Sequence, residues 1–129
     1  MTVTYVESSA LAKLIVAESG SKALRGYLRG RTTVTSALTR LEVTRAVRKS
    51  KAQPTVGLDA VFGVVTVVEI QHEILRLASV LEPPELRSLD AIHLATALSI
   101  ADDLDGFVTY DRQLGRAATA AGLAVASPR

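Results

Sequence analysis

Four acidic residues stand in apolar surroundings along this chain: Glu7 in TVTYVE, Glu42 in SALTRLEV, Asp90 in SLDAIHL and Asp111 directly after GFVTY. An uncompensated carboxylate in such a setting costs roughly several kcal/mol. A divalent cation compensates several carboxylates at once, so the four together point to a metal-dependent active site. The donors are hard oxygens, a set that suits Mg2+, with Mn2+ as a substitute, better than zinc. Only His72 and His93 are present and cysteine is absent, which argues against a histidine- or thiolate-rich zinc site. His72-Glu73 opens like HExxH, but Arg76 takes the place of the second histidine.

Each acid also has an ordinary structural role open to it. Glu7 can be a solvated strand end, and Glu42 can pair with Arg45 on a helix surface. Asp90 can serve the dipole of a helix first turn, an effect of about 0.3–1 kcal/mol. Asp111 can cap the helix that follows it. His93, three residues after Asp90, reads as a polar residue satisfied by a neighbour. No single acid is decisive; their shared placement at strand ends and helix starts is.

The elements that must position them alternate. TVTYVE (2–7) reads as a buried parallel strand, and Ser8 and Ser9 offer N-caps for a helix carrying Leu11, Leu14 and Ile15. A helix over 21–29 is followed by a strand over 31–36 and, capped by Ser36, a helix from Ala37 to about Ser50. A short helix near 55–61 precedes a strand over 63–70, and His72 to Leu81 is helical. Ser88 is expected to cap a long helix through about Asp103; it is apolar nearly all round and therefore buried. A strand at 106–110, an alanine-rich helix at 112–121 and a short strand in LAVAS complete the chain. This alternation predicts one α/β domain over 1–129, with helices on both faces of a mainly parallel five-stranded sheet. Ligands of such sheets sit beyond the carboxyl ends of the strands, where strand order reverses. In the order 3-2-1-4-5, Glu7 and Asp111 flank that point.

Composition narrows the chemistry further. The 129 residues are 48% hydrophobic but only 4% aromatic, so the core is aliphatic. The absence of cysteine excludes disulfides and thiol nucleophiles and is compatible with a reducing cytoplasm. No apolar run is long enough to span a bilayer, and MTVTYVESS lacks the features of a signal peptide, so a cytoplasmic protein without a membrane partner is expected. GxGxxG, GxxxxGK[ST] and GxSxG are missing. Net charge is +2, but the basic residues are grouped: Arg25, Arg29 and Arg31, then Arg40, Arg45, Arg48, Lys49 and Lys51. Basic helices beside an acidic cluster suit a polyanion held by its phosphates while one bond meets a metal, although such runs also occur as plain solvated faces. Arg25, Arg29, Arg45 and Arg48 are the candidates for phosphate contacts. With three Tyr and two Phe, base-stacking surfaces are few, which favours recognition of folded RNA by shape.

YVESSALAKL, TSALTRLEVTRAV, SLDAIHLATAL and FVTYDRQL resemble the successive motifs of PIN-domain nucleases, and most nearly the VapC-type toxins of bacterial toxin–antitoxin pairs. The resemblance covers essentially the whole chain. It implies an α/β/α PIN-like fold and a Mg2+-dependent endoribonuclease acting on structured RNA such as tRNA. It also implies a homodimer neutralised by a cognate antitoxin. Carried over by position, Glu42, Asp90 and Asp111 match the family's acids, and Ser9 and Thr109 its small polar site residues. Glu7, Asp90 and Asp111 would hold the metal, and Glu42 would complete the acidic rim. Glu7 departs from the pattern, which has Asp at that strand end. One extra methylene moves a carboxylate by up to roughly 1.5 Å, and Mg2+ tolerates little displacement. A catalytically silent PIN scaffold that binds antitoxin or RNA is therefore the alternative. A phospho-acceptor signalling domain is disfavoured, since its lysine after strand five is absent from LAVASPR.

Overall fold

The computed structural model describes residues 2–129. Its frame is a five-stranded parallel sheet in the order β3-β2-β1-β4-β5. The strands are β1 (Val3–Val6), β2 (Thr33–Ser36), β3 (Thr66–Val68), β4 (Leu104–Val108) and β5 (Val125–Ala126). Between them run helices α1 (Ser8–Ile15), α2 (Ser21–Leu28), α3 (Ala37–Lys49), α4 (Leu58–Phe62), α5 (His72–Ser79), α6 (Ser88–Leu98) and α7 (Arg112–Ala120).

Alternation along β1 explains the layers. Val6 and its partner Val108 face one side, where they pack with Leu11, Ile15, Leu24, Val43 and Phe62 from α1 to α4. Tyr5 and its partner Phe107 face the other, against Leu94, Ala97, Leu114 and Ala118 of α6 and α7. The Tyr5 and Phe107 rings stack 5.0 Å apart. With both faces covered, the central strands have no polar side to offer, and Thr4, Tyr5, Val6, Phe107 and Val108 are fully buried.

Several element boundaries differ from the expected ones, for local reasons. The cap of α1 is Glu7, whose carboxylate accepts from Ser9 N at 3.1 Å, instead of Ser8 or Ser9. Helix α6 stops at Leu98 because Ser99 Oγ turns back to donate to Thr96 O at 2.6 Å, and Ala101–Asp103 form a separate 3-10 turn. Helix α4 lies over 58–62, not 55–61, and β3 is shorter than 63–70 because Gly63–Val65 still belong to the turn that closes α4. Helix α7 ends where Gly122 takes φ 95°, with Gly122 N bonded to Thr119 O and Leu123 N to Ala118 O, the paired bonds of a Schellman stop.

Candidate active site

Because all strands are parallel, β1 and β4 deliver their carboxyl ends to the same edge of the sheet, and the chain leaves them in opposite directions along the strand order. Glu7 leaves β1 there, and its backbone N bonds to Val108 O at 3.0 Å. Its carboxylate is fully engaged. Oε1 accepts from Ser9 Oγ and from Thr109 Oγ1, each at 2.6 Å, while Oε2 takes the Ser9 N–H. Glu7 is 5% exposed. Its extra methylene is absorbed by folding the carboxylate back over the helix it caps.

Ser9 and Thr109 knit the two strand ends together. Ser9 Oγ also accepts from Tyr110 N at 2.9 Å, and Thr109 Oγ1 from Asp111 N at 3.1 Å. Asp111 then caps α7 by accepting from Leu114 N at 2.9 Å through Oδ1, which leaves Oδ2 directed elsewhere. Thus Glu7 and Asp111 are neighbours through the Thr109 hydroxyl, as the strand order requires.

Asp111 Oδ2 accepts from Arg87 Nη2 at 2.8 Å, and the same guanidinium donates through Nε to Asp90 Oδ2 at 3.0 Å. Asp90 lies in the first turn of α6 and is buried. Burial pushes its carboxyl above the ordinary aspartate range; Arg87 opposes that shift without cancelling it, and the charge of Asp111 adds to it.

One turn further along α6, His93 is fully buried and carries the network on to Glu42. Its Nε2 meets Glu42 Oε1 at 2.6 Å, and its Nδ1 meets the Tyr5 hydroxyl at 2.7 Å. An ionised carboxylate can only accept, so the tautomer that satisfies both contacts has the proton on Nε2 and receives the Tyr5 O–H at Nδ1. Ser8 Oγ donates to the same Glu42 oxygen at 2.5 Å. Burial alone would raise the Glu42 carboxyl; the hydrogen bonds from His93 and Ser8, with the nearby Arg87 charge, outweigh it and hold Glu42 below the ordinary glutamate range. Burial pushes the Tyr5 phenol well above its ordinary value.

The four acids therefore share one rim. Running round it, Glu7 connects through Thr109 to Asp111, then through Arg87 to Asp90, along α6 to His93, and through Glu42 and Ser8 back to α1. Among the described residues, no buried side-chain nitrogen or oxygen lacks a partner. Arg87, His93 and Tyr5 are the members that the sequence reading leaves out. His93 had a visible signal in its spacing from Asp90. Arg87, exposed ahead of a helix, had none.

The chemistry of these donors fits a hard divalent cation at Asp90 and Asp111. Two carboxylates there share one positive charge, and Asp90 remains short of compensation. The fit is to a pair and not to a closed cage, for among the described residues no three His, Asp or Glu side chains converge as a ready ligand set. Mg2+ is commonly held by one or two carboxylates with water and substrate oxygens filling the other positions.

The arginines separate into different regions. Arg29 caps the end of α2 shortly before β2 begins, at the sheet edge opposite the rim, and Arg25 lies one turn earlier. Arg45 and Arg48 border a separate cleft with Lys49 that none of the four acids lines. Two other basic residues are tied down structurally: Arg31 to Asp105 at 3.2 Å and Arg40 to Asp59 at 2.7 Å. The basic residues that do reach the rim were not singled out in the sequence. Arg112, Arg116 and Arg129 line a cleft of about 580 Å3 that has Tyr110 and Asp111 in its wall.

Comparison with known proteins gives the family and the fold. The sequence model of the PIN domain matches residues 4–120. The chain is 44% identical over 136 aligned positions to ribonuclease VapC46 of Mycobacterium tuberculosis, covering 99% of each chain. It is 43% identical to ribonuclease VapC35 of the same species, covering 96% of each. Among solved structures, M. tuberculosis VapC20, a sarcin-ricin loop cleaving toxin, superposes with a TM-score of 0.71 at 15% identity, covering 97% of this chain and 99% of that one. A toxin–antitoxin complex from Klebsiella pneumoniae gives 0.67 at 20% identity, covering 98% of both.

Proposed function

From a chain that belongs to the PIN-domain family, alongside its VapC ribonucleases, we infer the toxin of a toxin–antitoxin pair, an endoribonuclease that hydrolyses phosphodiester bonds of structured RNA with the help of Mg2+ or Mn2+. The observation that carries this reading is the rim in which Glu7, at the end of β1, and Asp111, after β4, are linked to Asp90 of α6 and Glu42 of α3. Translation-related RNA, tRNA above all, is the substrate class proposed. A cognate antitoxin, a homodimer and a cytoplasmic location complete it.

Asp90 and Asp111 would hold the cation, with Glu7 as the third acid of the set. When bound, the cation supplies activation of water for in-line attack at phosphorus and neutralisation of charge on the phosphate. The chain's own residues do the rest. Ser9 and Thr109 fix the Glu7 carboxylate, and Leu114 N fixes the orientation of Asp111. His93 and Ser8 hold Glu42 ionised, so that it can accept a proton at the edge of the site. Arg112, Arg116 and Arg129 border the approach and offer phosphate contacts, which position RNA without reading its sequence. Arg45 and Arg48, and more remotely Arg25 and Arg29, are outlying contacts in this reading. Tyr5 and Phe107 are buried in the core and Phe62 nearly so. That leaves little aromatic surface for stacking bases and supports recognition of RNA by shape.

The alternative, a silent scaffold that binds antitoxin or RNA, draws on Glu7, whose carboxylate is already occupied by three hydrogen bonds. One experiment separates them: the purified protein is incubated with total RNA in Mg2+, Mn2+ or EDTA, beside Asp90→Asn and Glu7→Asp. Discrete cleavage that needs the metal and disappears in Asp90→Asn is expected. RNA left intact by every version under all metals would overturn the nuclease reading in favour of the scaffold.

A further inference from the structure

Arg87 is the one Arg or Lys, among the described residues, whose side chain hydrogen-bonds to acids of the rim, and it bonds to two of them. Nε donates to Asp90 Oδ2 at 3.0 Å and Nη2 to Asp111 Oδ2 at 2.8 Å. The exposures are unequal. The Arg87 side chain is 67% exposed, whereas those of Asp90 and Asp111 are 11% and 26% exposed. The Asp111 carboxylate is anchored by the helix it caps, whereas that of Asp90, in the first turn of α6, has Arg87 as its hydrogen-bond partner. The guanidinium reaches inward from solvent and can swing away without disturbing the core.

Its own position gives it little reason to stay. Arg87 is the N-cap of α6 and makes no side-chain cap bond. A cation at a helix N-terminus meets the positive end of the dipole. What holds it is the carboxylate pair, and one positive charge leaves the two acids with a net charge of about −1. A divalent cation would satisfy the same pair completely.

Resting on the metal-site reading above, we propose that Arg87 is the internal counter-ion of the site. It occupies the Asp90–Asp111 pair when no metal is bound and competes with the cation for those oxygens. Displaced, it becomes a free guanidinium at the rim, suited to bidentate contact with a phosphate of the incoming RNA. Metal arrival and phosphate capture are thereby coupled. The pair keeps its geometry in the metal-free protein, the apparent metal affinity is lowered, and the released arginine is presented to the substrate.

The test reads metal affinity and not only turnover. Mn2+ binding is measured by calorimetry for the intact chain, Arg87→Met, Arg87→Lys and Asp90→Asn, with circular dichroism to confirm folding. Removing the competing guanidinium and its two ion pairs should tighten Mn2+ binding in Arg87→Met by roughly tenfold. Arg87→Lys, a point charge that cannot fork across two acids, should fall between. Asp90→Asn should lose binding. In RNA cleavage, Arg87→Met should show a raised KM despite its tighter metal. Equal or weaker Mn2+ affinity in Arg87→Met, with the intact chain binding Mn2+ and Asp90→Asn not, would overturn the counter-ion role and leave the metal site standing. Absence of Mn2+ binding in all four proteins would overturn both.

Discussion

The Tyr5 hydroxyl and the Glu42 carboxylate meet opposite nitrogens of one buried imidazole, so each controls how the other is held. Tyr5→Phe keeps the ring stacked on Phe107 but removes the donor to His93 Nδ1. The expected destabilisation is about 1–3 kcal/mol, the cost of a buried polar group left unpaired, read as a shift in a denaturant midpoint. Cleavage should weaken as well, because Glu42 loses the anchor behind its partner. Glu42 also sets an acid-side limit. Its carboxyl lies below the ordinary value in the folded protein, facing His93, Ser8 and the Arg87 charge. A group depressed on folding stabilises above its unfolded pKa, and that stabilisation is lost as pH falls through the folded value. The melting temperature of the intact chain should therefore drop more steeply than that of Glu42→Gln below about pH 4.3. Parallel curves would show that Glu42 is not held in this way.

At the scale of elements, Asp111 caps α7 and, in the proposed reading, holds the cation, two roles that substitutions can separate. Asn caps helices as well as Asp does, so Asp111→Asn should keep α7 intact, whereas Asp111→Ala should cost about 1 kcal/mol of stability. Both should abolish metal-dependent cleavage; activity retained in Asp111→Asn would show that the residue serves only α7. The cap at Asp111 was legible in the sequence, as was Ser36, because a short polar side chain before an apolar run has few other uses. The alternation of elements made the parallel sheet legible; its order did not follow from that alone, but in the order 3-2-1-4-5, which the structure has, Glu7 and Asp111 converge. Other features left no trace in one dimension. Glu7 replaces Ser8 and Ser9 as the cap of α1 because its longer side chain can reach both Ser9 and Thr109, a choice made by a residue 102 positions away. The helix expected to run to about Asp103 ends at Leu98, because Ser99 turns back on Thr96, a local bond that no pattern of apolar residues announces. Arg25 and Arg29 looked like a phosphate-binding group because charge runs are visible in sequence, whereas the edge of the sheet they reach is not.

Across the whole molecule, the two faces of the sheet hold its packing and the rim holds its charge. The rim's acids carry more negative charge than Arg87 offsets, so a bound cation should stabilise the fold as well as serve the reaction. At a metal concentration 100 times its dissociation constant, the gain is about 2.7 kcal/mol. Calorimetric melting in Mn2+ against EDTA should show it, and Asp90→Asn should not respond. Without metal the direction reverses: Asp90 is raised by burial, so ionising it works against folding at neutral pH. Asp90→Asn should accordingly melt a few degrees higher than the intact chain in EDTA, and a lower melting temperature would mean that the Arg87 pairing outweighs burial.

The contact between Glu7 and Thr109 also governs when the rim can exist at all. A ribosome that has made β1, α1 and α3 has produced Glu7 and Glu42, but the strand that aligns them and the acid that follows it are still to come. Until Asp111 emerges and β4 slots in beside β1, the nascent chain has no assembled site to turn on the cell's own RNA. On the toxin reading proposed above, this topology leaves the chain without an assembled site through most of its own synthesis, time in which a cognate antitoxin can already be present.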